Sequence, residues 1–363
     1  MKQLDFIFPN SINVLEETLF NYSIKNVFLV RGKNSFIKSG AEEILLPILK
    51  KYNITSFSNF TVNPKLEEAE QGYELFKKSN SELIIAIGGG SVIDMAKLIK
   101  HLWIKDNDKL LLLPLVAIPT TAGTGSEATH FAVVYISNKK YSYADKLLLP
   151  NVAIVDSNLL TGQNKYQMAV SGLDAFAQGI ESFWSVNSTE KSMEYSEKAI
   201  LLVWNNLKKA INGDSQAKEK LAEGSFYAGK AINITKTTAP HALSYGFTSI
   251  LGLPHGHAVS LFLPYFLNFH KTLSVEDCID KRGNTFVRGQ LAKIANFIST
   301  DVDQLELTVF SFINDLEVDL NFKNLGITKQ VFIDAIEKVS IERLNNNPGK
   351  VSSQKIMSIY NTN

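Results

Sequence analysis

The sequence predicts an α/β domain over residues 1–160 followed by an all-helical domain over 161–363. Three observations carry that division. Short apolar runs alternate with helix-length segments up to Asp156, and strand-like runs disappear beyond it. Two loops rich in glycine, serine and threonine follow two of those runs.

The runs are Asn26–Val30 (NVFLV), Thr55–Phe60, Leu83–Ile87 (LIIAI), Leu115–Ile118 (LVAI), Ala132–Ile136 (AVVYI) and Val152–Val155. Most are continuously apolar, which is the pattern of strands buried on both faces. Between them, Ser39–Tyr52 and Lys65–Ser79 place apolar residues at helical spacing. Such alternation builds a parallel sheet that binds ligands beyond the carboxyl ends of its strands. Later, helical spacing covers Gly172–Ser185, Ser188–Ile211, Gln216–Asn233, Val287–Phe297 and Lys329–Val339.

Composition narrows the functional class. A chain of 363 residues, 45% hydrophobic and 20% charged, can bury a large core as a soluble globular protein. With 37 basic and 36 acidic residues no overall field draws it to nucleic acid or an anionic membrane. The longest apolar stretch, Leu110–Pro119, is too short to span a bilayer and contains prolines. The start, MKQLDFIFPN, lacks the apolar segment of a secretory signal, and the one cysteine, Cys278, excludes an internal disulfide framework. A cytoplasmic enzyme acting on a small molecule is expected.

The first loop, Gly88-Gly89-Gly90-Ser91, links an apolar strand to a helix over Val92–His101. Glycine lets the backbone approach a diphosphate while its N–H groups and the helix N-terminus donate to it, and the Ser91 hydroxyl adds a donor. It is neither a spaced G-x-G-x-x-G nor a P-loop, so a plain strand–helix turn is the competing reading. The second loop, Pro119–Glu127 (PTTAGTGSE), offers Thr120, Thr121, Thr124 and Ser126 to polyphosphate or nicotinamide, or caps a helix through Ser126. Asp94, on the helix after the first loop, joins the expected cofactor contacts.

Asp174 lies in SGLDAFAQGIE, His241 in TTAPHALSY and His255 in LGLPHGHAV. One carboxylate and two imidazoles suit a divalent metal that keeps a position open for substrate. Each alone has an ordinary reading, the Asp as a helix cap and each His as a hydrogen-bonded structural residue. Gln178, four residues after Asp174, shares its helix face. His257 reads as a bystander or a support to the metal ligands, and His101, His130 and His270 as structural or surface groups.

GGGSVIDMAK, PTTAGTGSEAT, LDAFAQGIES and PHGHAV, in this order and spacing, resemble the iron-containing (group III) alcohol dehydrogenases. The resemblance runs from the first strand to about Pro264. It implies a Rossmann-like N-terminal domain, a helical C-terminal domain and a divalent metal in a cleft between them, the architecture shared with dehydroquinate synthase. It puts Asp174, His241 and His255 on three metal-binding positions; the fourth, usually His, is Gln178 here. Three protein ligands plus solvent are expected, with Gln178 as a weak ligand or a substrate contact. Iron is the expected metal, with zinc and manganese as alternatives. Tyr245 stands where relatives often carry a proton-relaying His, and its phenol or His257 could serve as the relay. Lys146 falls near the expected nicotinamide ribose. A homodimer is expected by resemblance alone.

After the second strand the chain reads Val30-Arg31-Gly32-Lys33-Asn34. No carboxylate stands there to repel a 2′-phosphate, and Arg31 and Lys33 could meet one, so NADPH is expected over NADH. Lys236 and Thr237 in NITKTTAPH could receive an anionic substrate group. That segment, with Gln178 and FWSVNST, resembles the phosphonoacetaldehyde reductases of the family. The expected reaction is reduction of a small aldehyde, phosphonoacetaldehyde to 2-hydroxyethylphosphonate. A general dehydrogenase for another small alcohol, a sugar-phosphate cyclase and a metal-free nucleotide binder are the alternatives.

Overall fold

A computed structural model describes residues 2–107, 113–137, 139–337, 339 and 341–362. It divides into two compact units: residues 1–164 with 215–226, and residues 165–214 with 227–363.

The first unit contains strands β1 (Leu4–Ile7), β2 (Asn26–Arg31), β3 (Asn53–Phe57), β4 (Leu83–Gly88), β5 (Leu115–Pro119), β6 (Phe131–Ile136), β7 (Lys139–Ala144) and β8 (Val152–Val155). Its helices are α1 (Val14–Asn21), α2 (Ser35–Lys38), α3 (Ala41–Leu49), α4 (Leu66–Ser79) and α5 (Gly90–Asp106). Six strands form one sheet in the order β1-β8-β5-β4-β2-β3, and every pairing is parallel. The pleat sorts the apolar runs onto two faces. Phe28, Val30, Ile84, Ala86, Leu115 and Ala117 pack into one core with α4 and α5. Val27, Leu29, Ile85, Ile87, Val116 and Ile118 pack into the other with α1 and α3. This is why those runs are apolar at every position.

Two strand expectations need correction, and one strand was missed. Ala132–Ile136 lies outside the parallel sheet; as β6 it pairs antiparallel with β7, and the intervening Asn138 lies outside the described residues. The Thr55–Phe60 run forms a strand earlier, at Asn53–Phe57. Strand β1 escaped sequence reading because it is an edge strand with two exposed and two half-buried residues. Within the longest apolar stretch, Leu110–Leu112 also lie outside the described residues.

Beyond Asn164 the described elements are helices: α6 (Lys165–Trp184), α7 (Glu190–Ile211), α8 (Ser215–Thr235), α9 (Ala239–Leu251), α10 (His255–Ser260), α11 (Leu263–Lys271), α12 (Asn284–Phe297), α13 (Leu305–Asp315), α14 (Lys329–Ile336), α15 (Ile341–Leu344) and α16 (Ser353–Thr362). Helix α8 is shared, its first part belonging to the first unit. Every residue from Gly172 to Trp184 is buried, so α6 has no solvent face there. Helices α7, α10 and α12 pack on it, and α9 packs on α10. The expected Lys329–Val339 helix ends at Ile336, and Lys338 lies outside the described residues. No helix among the described residues is long and apolar enough to cross a membrane.

Candidate functional site

Strands β4 and β5 are neighbours in register, Gly88 opposite Pro119, so the glycine and threonine loops leave the same edge of the sheet. The Thr120 N–H donates to the Gly88 carbonyl at 3.0 Å. Gly88 has φ +156, and a Cβ there would lie 2.5 Å from Val92. A Cβ on Gly90 would lie 2.7 Å from Thr124. Both positions therefore exclude a side chain, and Thr121 stands against Gly89. Helix α5 begins at this turn without a side-chain cap and without an acidic residue in its first turn. A bare backbone turn at the positive end of a 17-residue helix fits a dinucleotide diphosphate. The Ser91 hydroxyl accepts from the Asn63 N–H at 3.3 Å.

Arg31 ends β2, which flanks β4 on the other side, so it reaches the same edge. Its Nε donates to Ser56 Oγ at 3.0 Å and its guanidinium lies over the Phe36 ring. Lys33 Nζ donates to Asn59 Oδ1 at 3.1 Å. Neither cation pairs with a carboxylate among the described residues.

Asp94 and Ser126, expected to touch the cofactor, are bonded to each other. Ser126 Oγ donates to Asp94 Oδ1 at 2.6 Å, and the Val133 N–H donates to Asp94 Oδ2 at 3.1 Å. The fully buried Lys97 ammonium closes the cluster, donating to Ser126 O and Oγ, Thr129 Oγ1 and Phe131 O at 2.6–3.0 Å. Burial pushes Lys97 down to about 8, against the pull of Asp94 and Glu127. The same burial raises Asp94. These groups tie the threonine loop to α5. Lys146 is exposed and lines a pocket with Gln3, Lys100 and Trp103, none of them from either loop.

In the second unit, Asp174 (α6), His241 (third residue of α9) and His255 (first residue of α10) come together. Each offers a ligand atom, and these atoms all lie within 4.8 Å of one another. Asp174 is 4% exposed and His241 3%. His241 Nε2 stands 3.2 Å from Asp174 Oδ1, and the two imidazoles meet edge to face at 5.2 Å. A compact set of one carboxylate and two imidazole nitrogens fits a divalent cation.

Residues unmarked in the sequence build this geometry. A Cβ on Gly256 would lie 1.9 Å from the Val170 carbonyl oxygen and 3.0 Å from Asp174 Cβ, so only glycine lets α10 carry His255 that close to α6. Glu181, wholly buried two turns after Asp174, contacts His241 Nδ1 through Oε2. Its Oε1 accepts from the Thr238 N–H and hydroxyl and from the His241 N–H at 2.9–3.3 Å. Burial disfavours the His241 imidazolium, yet Glu181 and Asp174 outweigh it and lift its pKa to about 9. The i, i+7 spacing of Asp174 and Glu181, in a run whose one other polar residue is Gln178, was the available signal.

The remaining expected groups fall as follows. Gln178 is buried one turn beyond Asp174 on the same stripe. Tyr245 stacks on His255 at 5.7 Å and 23°, and burial raises its phenol. His257 is engaged at both nitrogens, by the Tyr166 hydroxyl at 2.7 Å and by the Asp319 carbonyl at 2.6 Å, which argues against its relaying a proton. Lys236, expected to meet an anion, pairs with the Glu342 carboxylate. Thr237 is buried, its carbonyl accepting from Asn346 Nδ2 at 2.9 Å.

Comparison with known proteins gives the family and the fold. Residues 6–157 match the family model described as iron-containing alcohol dehydrogenase, and residues 168–363 match the C-terminal model of the same family. Aldehyde-alcohol dehydrogenase 2 of Entamoeba histolytica is 30% identical over 73% of this chain, which spans only 33% of that longer protein. Phosphonoacetaldehyde reductase of Streptomyces viridochromogenes is 30% identical over 76% of this chain and 74% of its own. Among solved structures, sulfoacetaldehyde reductase from Bifidobacterium kashiwanohense in complex with NAD+ superposes with a TM-score of 0.88 at 27% identity, covering 100% of this chain and 97% of that one.

Proposed function

The chain belongs to the iron-containing alcohol dehydrogenase family, and from that premise we propose that it reduces phosphonoacetaldehyde to 2-hydroxyethylphosphonate with NADPH. The convergence of Asp174, His241 and His255 carries the reading. Two relatives bear the names of aldehydes that carry a phosphonate or a sulfonate, which supports an anionic substrate. Arg343, close enough for its charge to act on Tyr245, is a candidate to meet that anion.

Asp174, His241 and His255 would hold a divalent cation, ferrous iron by family and zinc or manganese as substitutes. When bound, the cation supplies a Lewis acid that favours negative charge on the substrate's carbonyl oxygen. The rest falls to the chain itself. Gly88–Gly90 and the N-terminus of α5 would bind the dinucleotide diphosphate. Arg31 and Lys33 would meet the 2′-phosphate, the basis for choosing NADPH. Tyr245, kept protonated by burial and stacked on His255, can hold a proton beside the reacting oxygen. Residues 1–160 then act as the nucleotide domain and 161–363 as the metal and substrate domain.

The test follows nicotinamide absorbance with protein purified without oxygen and loaded with ferrous iron. Oxidation of NADPH should be fast with phosphonoacetaldehyde, slow with acetaldehyde and glyceraldehyde, and slower with NADH in place of NADPH. Equal rates with plain aldehydes would remove the phosphonate. No oxidation with any aldehyde would remove the reductase reading.

A further inference from the structure

We propose that Glu181 is the positioning residue of the metal centre, setting the tautomer in which His241 presents Nε2 to the cation; the inference rests on the reading of Asp174, His241 and His255 as ligands. Glu181 is 0% exposed, and both of its oxygens are engaged. Oε1 accepts three hydrogen bonds at the start of α9, from Thr238 N, Thr238 Oγ1 and His241 N. Thr238 is the N-cap of α9 but makes no side-chain cap of its own, so a carboxylate from α6 supplies the acceptor that the helix start lacks. Oε2 faces His241 Nδ1. An acceptor at that nitrogen keeps the ring proton on Nδ1 and leaves the Nε2 lone pair toward Asp174. Trp184, a turn further along α6, fastens the same cap by donating from Nε1 to Thr238 Oγ1 at 2.9 Å. One side chain thus fixes both where α9 begins and which nitrogen of His241 is bare.

The carboxylate is needed in both roles because all four of its partners can be donors. The Glu181→Gln variant keeps the volume but has one accepting oxygen. If that oxygen stays with the three donors of α9, the amide NH2 faces Nδ1 and forces the ring proton onto Nε2, where the cation must bind. If the amide turns over, its NH2 confronts the donors of the helix start. Either orientation weakens the centre.

The experiment titrates zinc into metal-free protein against a competing chelator, for wild type, E181Q, His255→Ala and Thr238→Val, with melting temperature recorded for each. Removing such a support is expected to weaken zinc binding about 10–100-fold in E181Q. Thr238→Val loosens the same helix start without touching the imidazole, so it should lower the melting temperature while zinc affinity stays close to that of wild type. In the zinc-loaded wild type, ¹⁵N NMR of the His241 ring should place the proton on Nδ1. Wild-type affinity in E181Q, or an equal loss in Thr238→Val, overturns the positioning role. Equal affinity in wild type and His255→Ala would instead overturn the metal centre, and this inference with it.

Discussion

Each unit buries a basic side chain between two carboxylates, and the outcomes are opposite. In the first, Lys97 lies with Asp94 and Glu127, and burial prevails, drawing its pKa down to about 8. In the second, His241 lies with Glu181 and Asp174, and the carboxylates prevail, lifting its pKa to about 9. The Lys97 ammonium is wrapped by oxygen atoms of one short segment, from Ser126 to Phe131, and no direction remains for an outside group. His241 is fixed at Nδ1 by Glu181, while its Nε2 faces Asp174 and, with His255, forms a compact set of possible metal-ligand atoms. A closed cluster is a strut, whereas a set of facing ligand atoms could act as a receptor.

The largest expected effect breaks the strut. Lys97→Met removes the buried ammonium beside Asp94 and Glu127, and unfolding by denaturant should show a loss of roughly 3–5 kcal/mol. A loss no larger than that of an exposed Lys→Met change would mean that the cluster is solvated. Next comes the receptor. Gly256→Ala places a methyl against the Val170 carbonyl, at a cost of about 1–3 kcal/mol, and should displace His255 enough to abolish zinc uptake in the chelator titration. Retained uptake would show that α10 can shift without opening the set.

The smallest effect sharpens the contrast through pH, in metal-free protein. Lys97 titrates near 10.5 when unfolded and about 8 when folded, so the unfolded chain binds more protons between those values. Its contribution therefore makes stability rise with pH across that window. His241 has a folded value of about 9 against 6.5 unfolded, so its contribution is full below 6.5 and lost as pH rises through 9. Denaturant midpoints across this range should lose the rising component in Lys97→Met and the falling component in His241→Gln. Unchanged profiles in both would remove the distinction.

These two clusters also mark how far sequence reading reaches. The strands of the parallel sheet were legible because burial on both faces leaves only apolar residues, and the glycine loop because nothing else tolerates that turn. The edge strand β1 was not, since exposure removes the apolar signature; β6 was legible as a strand, but its antiparallel pairing with β7 was not, because its apolar run looks like those of the parallel sheet. Asp174, His241 and His255 were legible by residue type and by resemblance. Glu181 was not, because a Glu at helical spacing looks like a solvent-facing group until the helix proves to have no such face. Asp94 and Ser126 bond to each other, a pairing the sequence did not reveal because a polar side chain beside a loop can meet a ligand or a neighbour, and composition does not separate the two.

Helix α6 carries Asp174, Gln178 and Glu181 on a segment where every residue from Gly172 to Trp184 is enclosed. Such a segment has no silent positions. An enlarged side chain meets packed neighbours, a shortened one leaves a void, and a new polar atom finds no water. Substitutions that alter substrate choice must then arise on elements that keep an open side, such as the last turn of α9 and the 252–254 link that follows it. The least alterable stretch of the protein is thereby the one that anchors its chemistry, and changes of specificity have to approach the reaction from its rim.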